Sequence, residues 1–166
     1  MASHNTLDDL FLDTLKDIYY AERQILKALP KMAKAAHSEE LRMAFEEHRH
    51  ETEGQVERLQ KVFDVLGKPA RGKTCEAIQG IIEEGEEIMS DFKGTPAIDA
   101  GLISSAQAVE HYEMARYGTL KRWAKILKMT EAVELLDATL KEEAAADEKL
   151  TKLADASANE TAKAAA

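Results

Sequence analysis

Apolar side chains recur at intervals of three, four and seven residues through five segments of the chain. Such intervals place apolar groups along one face of an α-helix. The segments are separated by short breaks, such as Gly67-Lys68-Pro69 and Lys93-Gly94-Thr95-Pro96. Only three prolines and eight glycines occur in 166 residues, and most of the remainder are strong helix formers. The sequence therefore predicts an all-α protein.

The predicted helices are joined by three short loops and one longer connection. Their approximate ranges are Thr6–Ala36, Ser38–Leu66, Cys75–Phe92, Ala97–Leu127 and Thr130–Leu153. The four long helices pair as two antiparallel hairpins, and the crossover between the hairpins carries the short third helix. A compact four-helix bundle is favoured over an extended coiled coil, because heptads are not sustained across the loops.

The length fits one domain over residues 1–166. We expect its core to span about residues 6–154. We expect the Ala-rich, polar tail from Asp155, residues 155–166, to fray.

Charge and composition narrow the classes of partner. The net charge is −9 and no basic stripe is present, so nucleic acid is not an expected partner. No apolar run approaches the ~20 residues that span a bilayer, and the first residues lack the features of a signal peptide. The one cysteine, Cys75, cannot form an internal disulfide. We therefore expect a cytoplasmic protein without a membrane partner.

Polar side chains interrupt the apolar faces near the middle of all four long helices. A buried, unpaired carboxylate either destabilises the fold or loses its charge, so each interruption needs a reason. The interrupting residues are Glu22 in the first helix, His48 and Glu51 in the second, Glu110 and Glu113 in the fourth, and Glu143 and Asp147 in the fifth.

The positions of these seven residues predict a metal site. In an antiparallel bundle they can meet at one level, where six carboxylates would repel one another strongly. Two metal ions would neutralise this repulsion. A single glutamate in such a position usually reaches water, and a single histidine is usually hydrogen-bonded in the core. Because the apolar faces of all four long helices are interrupted in this way, the pattern favours a dinuclear centre.

A second motif in the same region is rejected. Glu47 and His50 form the Glu-x-x-His pattern that is typical of di-iron bundles. However, they share the polar face of their helix with Glu46 and Glu53, and therefore point away from the predicted core. The tyrosines near the predicted site level suit packing, hydrogen bonding to ligands or redox chemistry: Tyr19, Tyr20, Tyr112 and Tyr117.

Several segments together resemble the YciE/YciF family, a bacterial stress-associated branch of the ferritin-like superfamily. They are Tyr20-Ala21-Glu22-Arg23-Gln24, His48-Arg49-His50-Glu51-Thr52, the run Glu76–Glu84, Val109-Glu110-His111-Tyr112-Glu113 and the run Glu143–Leu150. The resemblance implies a ferritin-like four-helix bundle, a homodimer and a metal site similar to that of rubrerythrin. Glu110 and Glu113 match the two glutamates one turn apart in such sites. Asp147 replaces the usual histidine, and the order of His48 and Glu51 is inverted.

The leading functional hypothesis is a centre of two iron ions, with manganese or another divalent metal as an alternative. Glu51 and either Glu113 or Glu143 would bridge the ions. Glu22, His48, Glu110 and Asp147 would be terminal ligands. Such a centre would oxidise ferrous iron or reduce peroxide, with dioxygen or peroxide as a partner.

Two alternatives remain open, and no catalytic residue is assigned. The protein would be a non-enzymatic stress or structural protein in which any metal only stabilises the bundle, or a helical interaction module without metal. The chain lacks Cys-x-x-Cys pairs, so an electron donor would be a separate protein.

Overall fold

The computed structural model describes residues 5–164, and every regular element in that part of the chain is helical. The main helices are α1 Leu7–Ala35, α2 Glu39–Val65, α3 Glu76–Asp91, α4 Ile98–Ile126 and α5 Thr130–Leu153. A π-helical turn at Ala154–Ala158 leads into the short helix α6, Asn159–Ala164. The all-α prediction is confirmed, and each of the five predicted helices is present.

The four long helices form a closed ring of contacts. α1 packs against α2 and α4, and α5 packs against the same two helices. α3 lies outside this ring and covers α1 and α4. This arrangement confirms the predicted bundle with a short helix in the crossover.

Apolar layers fill the bundle on both sides of its middle level. Burial of each large apolar side chain contributes about 1.5–3 kcal/mol, so these layers provide most of the driving force for folding. On α1, the buried residues before the polar interruption are Phe11, Leu15 and Ile18, and those after it are Ile25 and Leu29. The polar residues of the bundle interior are thereby enclosed between two apolar layers.

The helix α3 approaches α4 closely. A Cβ atom added to Gly101 would lie 2.6 Å from Cγ2 of Ile88, so glycine permits this contact. Ile78, also on α3, is fully buried. The crossover helix is therefore packed into the molecule and walls one side of the bundle interior.

The last described residues are helical, whereas we expected a frayed tail from Asp155. Ala158 is only 7% exposed, and both the π-helical turn and α6 contact α4. Small alanine side chains allow this close packing. The last part of the expected tail, residues 165–166, lies outside the described residues.

The turn between α1 and α2 is held by a residue from α4. The carboxylate of Asp99 accepts hydrogen bonds from the backbone N–H groups of His37 and Ser38, at 2.6 and 2.8 Å. Asp99 is only 8% exposed. Hydrogen bonds to a buried charge are stronger than those between neutral groups. This contact therefore joins the two hairpins at one end of the bundle.

We expect Asp99→Ala to lower the free energy of unfolding by about 2 kcal/mol, because two backbone N–H groups of the half-buried turn lose a charged acceptor. Urea denaturation followed by circular dichroism measures the change. Asp91→Ala is the matched control, because Asp91 is exposed at the end of α3. Equal stability of the two variants would show that the Asp99 contact does not hold the hairpins together.

Candidate metal centre

Four of the seven predicted site residues meet at the centre of the bundle. One ligand atom from each of His48, Glu110, Glu113 and Glu143 lies within 4.8 Å of the other three. His48 comes from α2, the two adjacent glutamates from α4, and Glu143 from α5. None of the four is more than 6% exposed. The interruptions of the apolar faces therefore converge, as the sequence predicts.

His48 lies between two carboxylates. Its Nε2 is 3.0 Å from Oε1 of Glu110 and 3.9 Å from Oε2 of Glu143. Its Nδ1 is 3.4 Å from Oε2 of Glu51, one turn further along α2. A histidine that binds metal through one nitrogen usually has the other nitrogen held by a carboxylate or carbonyl. His48 fits this pattern, because its Nε2 faces the buried carboxylates and its Nδ1 contacts Glu51.

Glu22 adds the contribution of α1. Its side chain is fully buried and accepts a hydrogen bond from the hydroxyl of Tyr117 on α4. It also lies near Glu113, whose carboxyl group affects its pKa. Glu22 is therefore next to the group of four. Each of the four long helices contributes at least one acidic or imidazole group to the interior.

The buried polar atoms of this region lack partners. Among the described residues, eight buried side-chain nitrogen or oxygen atoms have no hydrogen-bond partner. All except Oε1 of Gln55 belong to Glu22, His48, Glu110, Glu113 and Glu143. Buried polar atoms in proteins are almost always satisfied, so such a concentration needs an explanation. Cations or protons are the groups that can satisfy several carboxylates at once.

Burial raises the pKa of three of the carboxyl groups. The pKa of Glu22 rises from 4.5 to about 7, because burial disfavours its charge, although hydrogen bonds with Glu113 and Tyr117 act against the rise. Burial also raises the pKa of Glu113 and Glu143 well above the ordinary value, and neighbouring carboxylates add to the effect. Without a cation, these three carboxyl groups therefore hold their protons more tightly than exposed carboxyl groups do.

His48 and Glu110 form an ion pair within the cluster. Burial acts to lower the pKa of His48, but hydrogen bonds with Glu110 and Glu51 outweigh it and hold that pKa well above its ordinary value. Burial acts to raise the pKa of Glu110, but hydrogen bonds with Glu143 and His48 lower it overall. The metal-free centre thus contains an imidazolium next to an ionised carboxylate.

Three predicted ligands lie outside the group of four: Glu22, which is buried beside it, and Asp147 and Glu51, which are partly exposed. Asp147 faces away from it: its Oδ1 is 3.2 Å from Nε2 of His111 and accepts a hydrogen bond from Gln107 at 3.2 Å. Its side chain is 21% exposed. Glu51 is beside the group, but its side chain is 36% exposed and contacts the outer nitrogen of His48. The structure therefore places Glu51 where it orients His48, rather than at the bridging position that we expected.

The rejected motif lies on the surface. His50 has a side chain that is 90% exposed and is 3.4 Å from Glu53, and Glu47 pairs with Lys149. Both residues are therefore on the polar face of α2, as the helical spacing indicated.

Two further polar residues lie in the interior: Tyr117, one of the tyrosines expected near the site level, and Gln55, which was not predicted as a site residue. Tyr117 is fully buried and donates its hydroxyl to Glu22, and Gln55 is fully buried one to two turns beyond His48. Tyr117 follows Glu113 by one helical turn, and Gln55 follows Glu51 in the same way. The signal available in the sequence for both residues is a polar side chain one helical turn after a predicted ligand.

The donor set fits a hard or borderline metal ion. Carboxylate oxygens favour iron, manganese, magnesium and calcium, whereas an imidazole adds affinity for iron and zinc. Cys75 is not part of the set: its Sγ is 3.0 Å from the hydroxyl of Tyr112, which donates to Asp17.

The fold and the buried cluster define an all-α bundle protein with an acidic, histidine-containing interior site. The chain belongs to the family described as domain of unknown function DUF892, whose model matches residues 6–163. It is 42% identical to protein YciF of Escherichia coli strain K12 over 158 residues, which are 95% of each chain. The resemblance to the YciE/YciF family is thus confirmed, and the chain is a YciF-like member of a stress-protein family.

Solved structures agree with this assignment. YcfI, described as a putative structural protein from Rhodopseudomonas palustris, is 45% identical and superimposes with a TM-score of 0.87, over 91% of this chain and 98% of that one. The E. coli stress protein YciF is 43% identical with a TM-score of 0.86, over 90% and 94% of the two chains. A protein from Xanthomonas campestris at 21% identity and a TM-score of 0.70 shares the fold.

None of the helices in the described part of the chain combines the length and the apolar character that crossing a bilayer requires. Each long helix carries charged residues on its outer face.

We expect the melting temperature of the metal-free protein to fall by several degrees between pH 5 and pH 8. Glu22 has a pKa of about 7 when folded and an ordinary value of 4.5, so its proton is bound more tightly in the folded chain. The resulting stability is fully present below about pH 4.5 and is lost as the pH rises through about 7. Differential scanning calorimetry after chelator treatment measures this dependence.

Glu22→Gln is the control, because it keeps the shape of the side chain and removes the titration. We expect its melting temperature to fall less over the same pH range. An unchanged slope would show that Glu22 is not the carboxyl group that binds the proton.

Proposed function

We propose that this protein binds two metal ions inside its helical bundle. Glu113 and Glu143, whose side-chain oxygens all lack hydrogen-bond partners, would hold both ions. Glu22 from α1, His48 from α2 and Glu110 from α4 would complete the site. Glu51 would orient His48 through its outer nitrogen. The observation that carries this proposal is the set of orphaned carboxylate oxygens.

Charge supports two ions rather than one. Glu22, Glu110, Glu113 and Glu143 would carry four negative charges when ionised, within a region that excludes water. Two divalent cations would balance these charges, whereas a single ion would leave an uncompensated buried charge, which is costly. Protons now held by Glu113 and Glu143 would leave as metal binds, because metal ligands must be deprotonated.

Iron is the metal that the donor set favours, and manganese is the nearest alternative. Two iron ions held here would supply electron transfer to dioxygen or peroxide. The contribution of the protein itself is to hold the ligands in place, exclude water with the apolar layers and keep the Tyr117 hydroxyl bonded to Glu22. The reaction proposed is the oxidation of ferrous iron or the reduction of peroxide during stress. The homodimer implied by the family resemblance is a separate proposal.

Elemental analysis tests the site. We expect about two iron or manganese ions per chain after anaerobic loading of protein purified without an affinity tag. In the double variant Glu22→Gln plus Glu113→Gln we expect the content to fall below one ion, because one shared ligand and one terminal ligand lose their charge. The double variant Glu47→Gln plus His50→Ala is the matched control, since it removes the surface motif and should leave the metal content unchanged. Full metal content in the first variant would contradict the proposed ligands.

Removal of a central carboxylate should also stabilise the chain when metal is absent. Glu113 has two buried oxygens without partners, and replacement of such a group by an apolar side chain removes its desolvation cost. We expect Glu113→Leu to raise the unfolding free energy of chelator-treated protein by about 1–3 kcal/mol. Denaturation of the unmodified chain and of Glu113→Leu, with and without metal, measures this. A lower stability of the metal-free variant would indicate that Glu113 has a structural role.

A structural role for the metal is the second candidate function, and the description of the R. palustris relative as a putative structural protein favours it weakly. The two functions differ in whether the bound metal reacts repeatedly with peroxide or ferrous iron. We expect the iron-loaded chain to consume hydrogen peroxide at a rate well above that of the Glu22→Gln plus Glu113→Gln variant, as measured by peroxide loss with an added reductant. Bound metal that raises the melting temperature but gives no peroxide loss or ferrous oxidation would favour the structural role.

A further inference from the structure

An apolar cavity of about 130 Å³ lies next to the proposed metal centre, on its His48 side. Small residues on four helices provide the space, and larger apolar side chains form the walls. The small residues are Ala28 on α1, Ala44 on α2, Gly85 on α3 and Ala106 on α4. The crossover helix α3 therefore forms part of the cavity wall, although it carries none of the predicted metal ligands.

Most of the walls are apolar and do not favour water. They include Phe45, Ile82, Met89 and Val109, which offer no hydrogen bonds from their side chains. A buried water needs only about 10–15 Å³ but requires two to four polar partners. An apolar cavity of roughly 150 Å³ in another protein stays dry and binds benzene or xenon. The volume and lining of this cavity are thus suited to an apolar molecule of about that size.

One end of the cavity is polar and adjoins the buried cluster. His48, Glu51 and Glu110 form this end. Two other lining residues, Glu47 and Glu86, are exposed and pair with Lys149 and Lys31 respectively. A molecule in the cavity would therefore have one end against the imidazole and carboxylate of the proposed centre.

The charges around the cavity select against anions. Four carboxylates line it, from Glu47, Glu51, Glu86 and Glu110, whereas the cationic groups in the lining are Lys149 and the protonated His48. A ligand carboxylate placed here would meet more negative than positive charge in a region of low dielectric constant. The chemistry of the cavity therefore favours a neutral molecule.

We propose that this cavity is a binding site for a small, neutral, predominantly apolar organic molecule about the size of a benzene ring. The site is argued from its own lining and volume, so it does not depend on whether metal binds. Peroxide alone would need neither this volume nor these apolar walls. The inference adds an organic ligand to a centre whose proposed chemistry involves only metal and oxygen species.

Titration of the full chain with benzene tests this proposal. In chelator-treated protein, ¹³C spectra of the Ile and Met methyl groups should show saturable shifts at Ile82 and Met89. Benzoate, which has the same ring and a negative charge, should give no saturable shifts at these positions. Absence of saturation with benzene, or equally tight binding of benzoate, would overturn the proposal.

A cavity-filling variant provides the matched test. Ala106→Leu places a larger side chain in the cavity, and we expect benzene affinity to fall at least about tenfold, which corresponds to ~1.4 kcal/mol. Ala115→Leu is the control, because Ala115 is exposed on the same helix, and its affinity should match that of the unmodified chain. Equal affinity in all three proteins would place the binding elsewhere.

A second measurement uses the unmodified chain, so it does not require a substituted protein to fold. Crystals of the unmodified full chain pressurised with xenon should show a peak between Ala106 and Gly85. Water density there in place of xenon would overturn the proposal. Metal content of the same crystals is measured separately, so failure of the cavity proposal and failure of the metal proposal are distinguishable.

Discussion

Mutual repulsion and desolvation of the carboxylates at the bundle centre are the constraint on which the other features of this structure depend. Glu22, Glu113 and Glu143 have no exposed surface, and Glu110 has almost none. A fold can hold such a group only if its apolar layers supply enough free energy to offset the cost. The packed layers above and below the cluster meet this requirement.

The same constraint explains the protonation pattern. Interactions with Glu143 and His48 lower the pKa of Glu110 overall, whereas burial raises the pKa of Glu113 and Glu143 well above the ordinary value. Cation binding and proton release are then two descriptions of one equilibrium. A centre of this kind is unstable in its fully ionised, metal-free form, so an apolar replacement of Glu113 should favour folding and oppose metal binding. Such opposition between stability and binding is expected of a functional site.

The centre is asymmetric, and the asymmetry has a physical origin in the crossover. On one side, Tyr117 and Glu22 close the interior with a buried hydrogen bond. On the other side, α3 covers α1 and α4 and leaves an apolar cavity against His48. A four-helix bundle without the extra helix would expose this face to water. The crossover helix therefore creates the environment in which an organic molecule can approach the cluster.

The sequence by itself determined the helices, their pairing and the inward direction of His48, Glu110, Glu113 and Glu143. Periodicity carries this information because a helical face repeats every three to four residues and burial of an acidic group stands out against it. The tertiary structure alone decided that Asp147 pairs with His111, that Glu51 contacts the outer nitrogen of His48, and that an apolar cavity adjoins the site. Helix rotation, rotamer choice and the packing of α3 determine these features, and all three depend on contacts between residues distant in the chain, which local spacing does not encode.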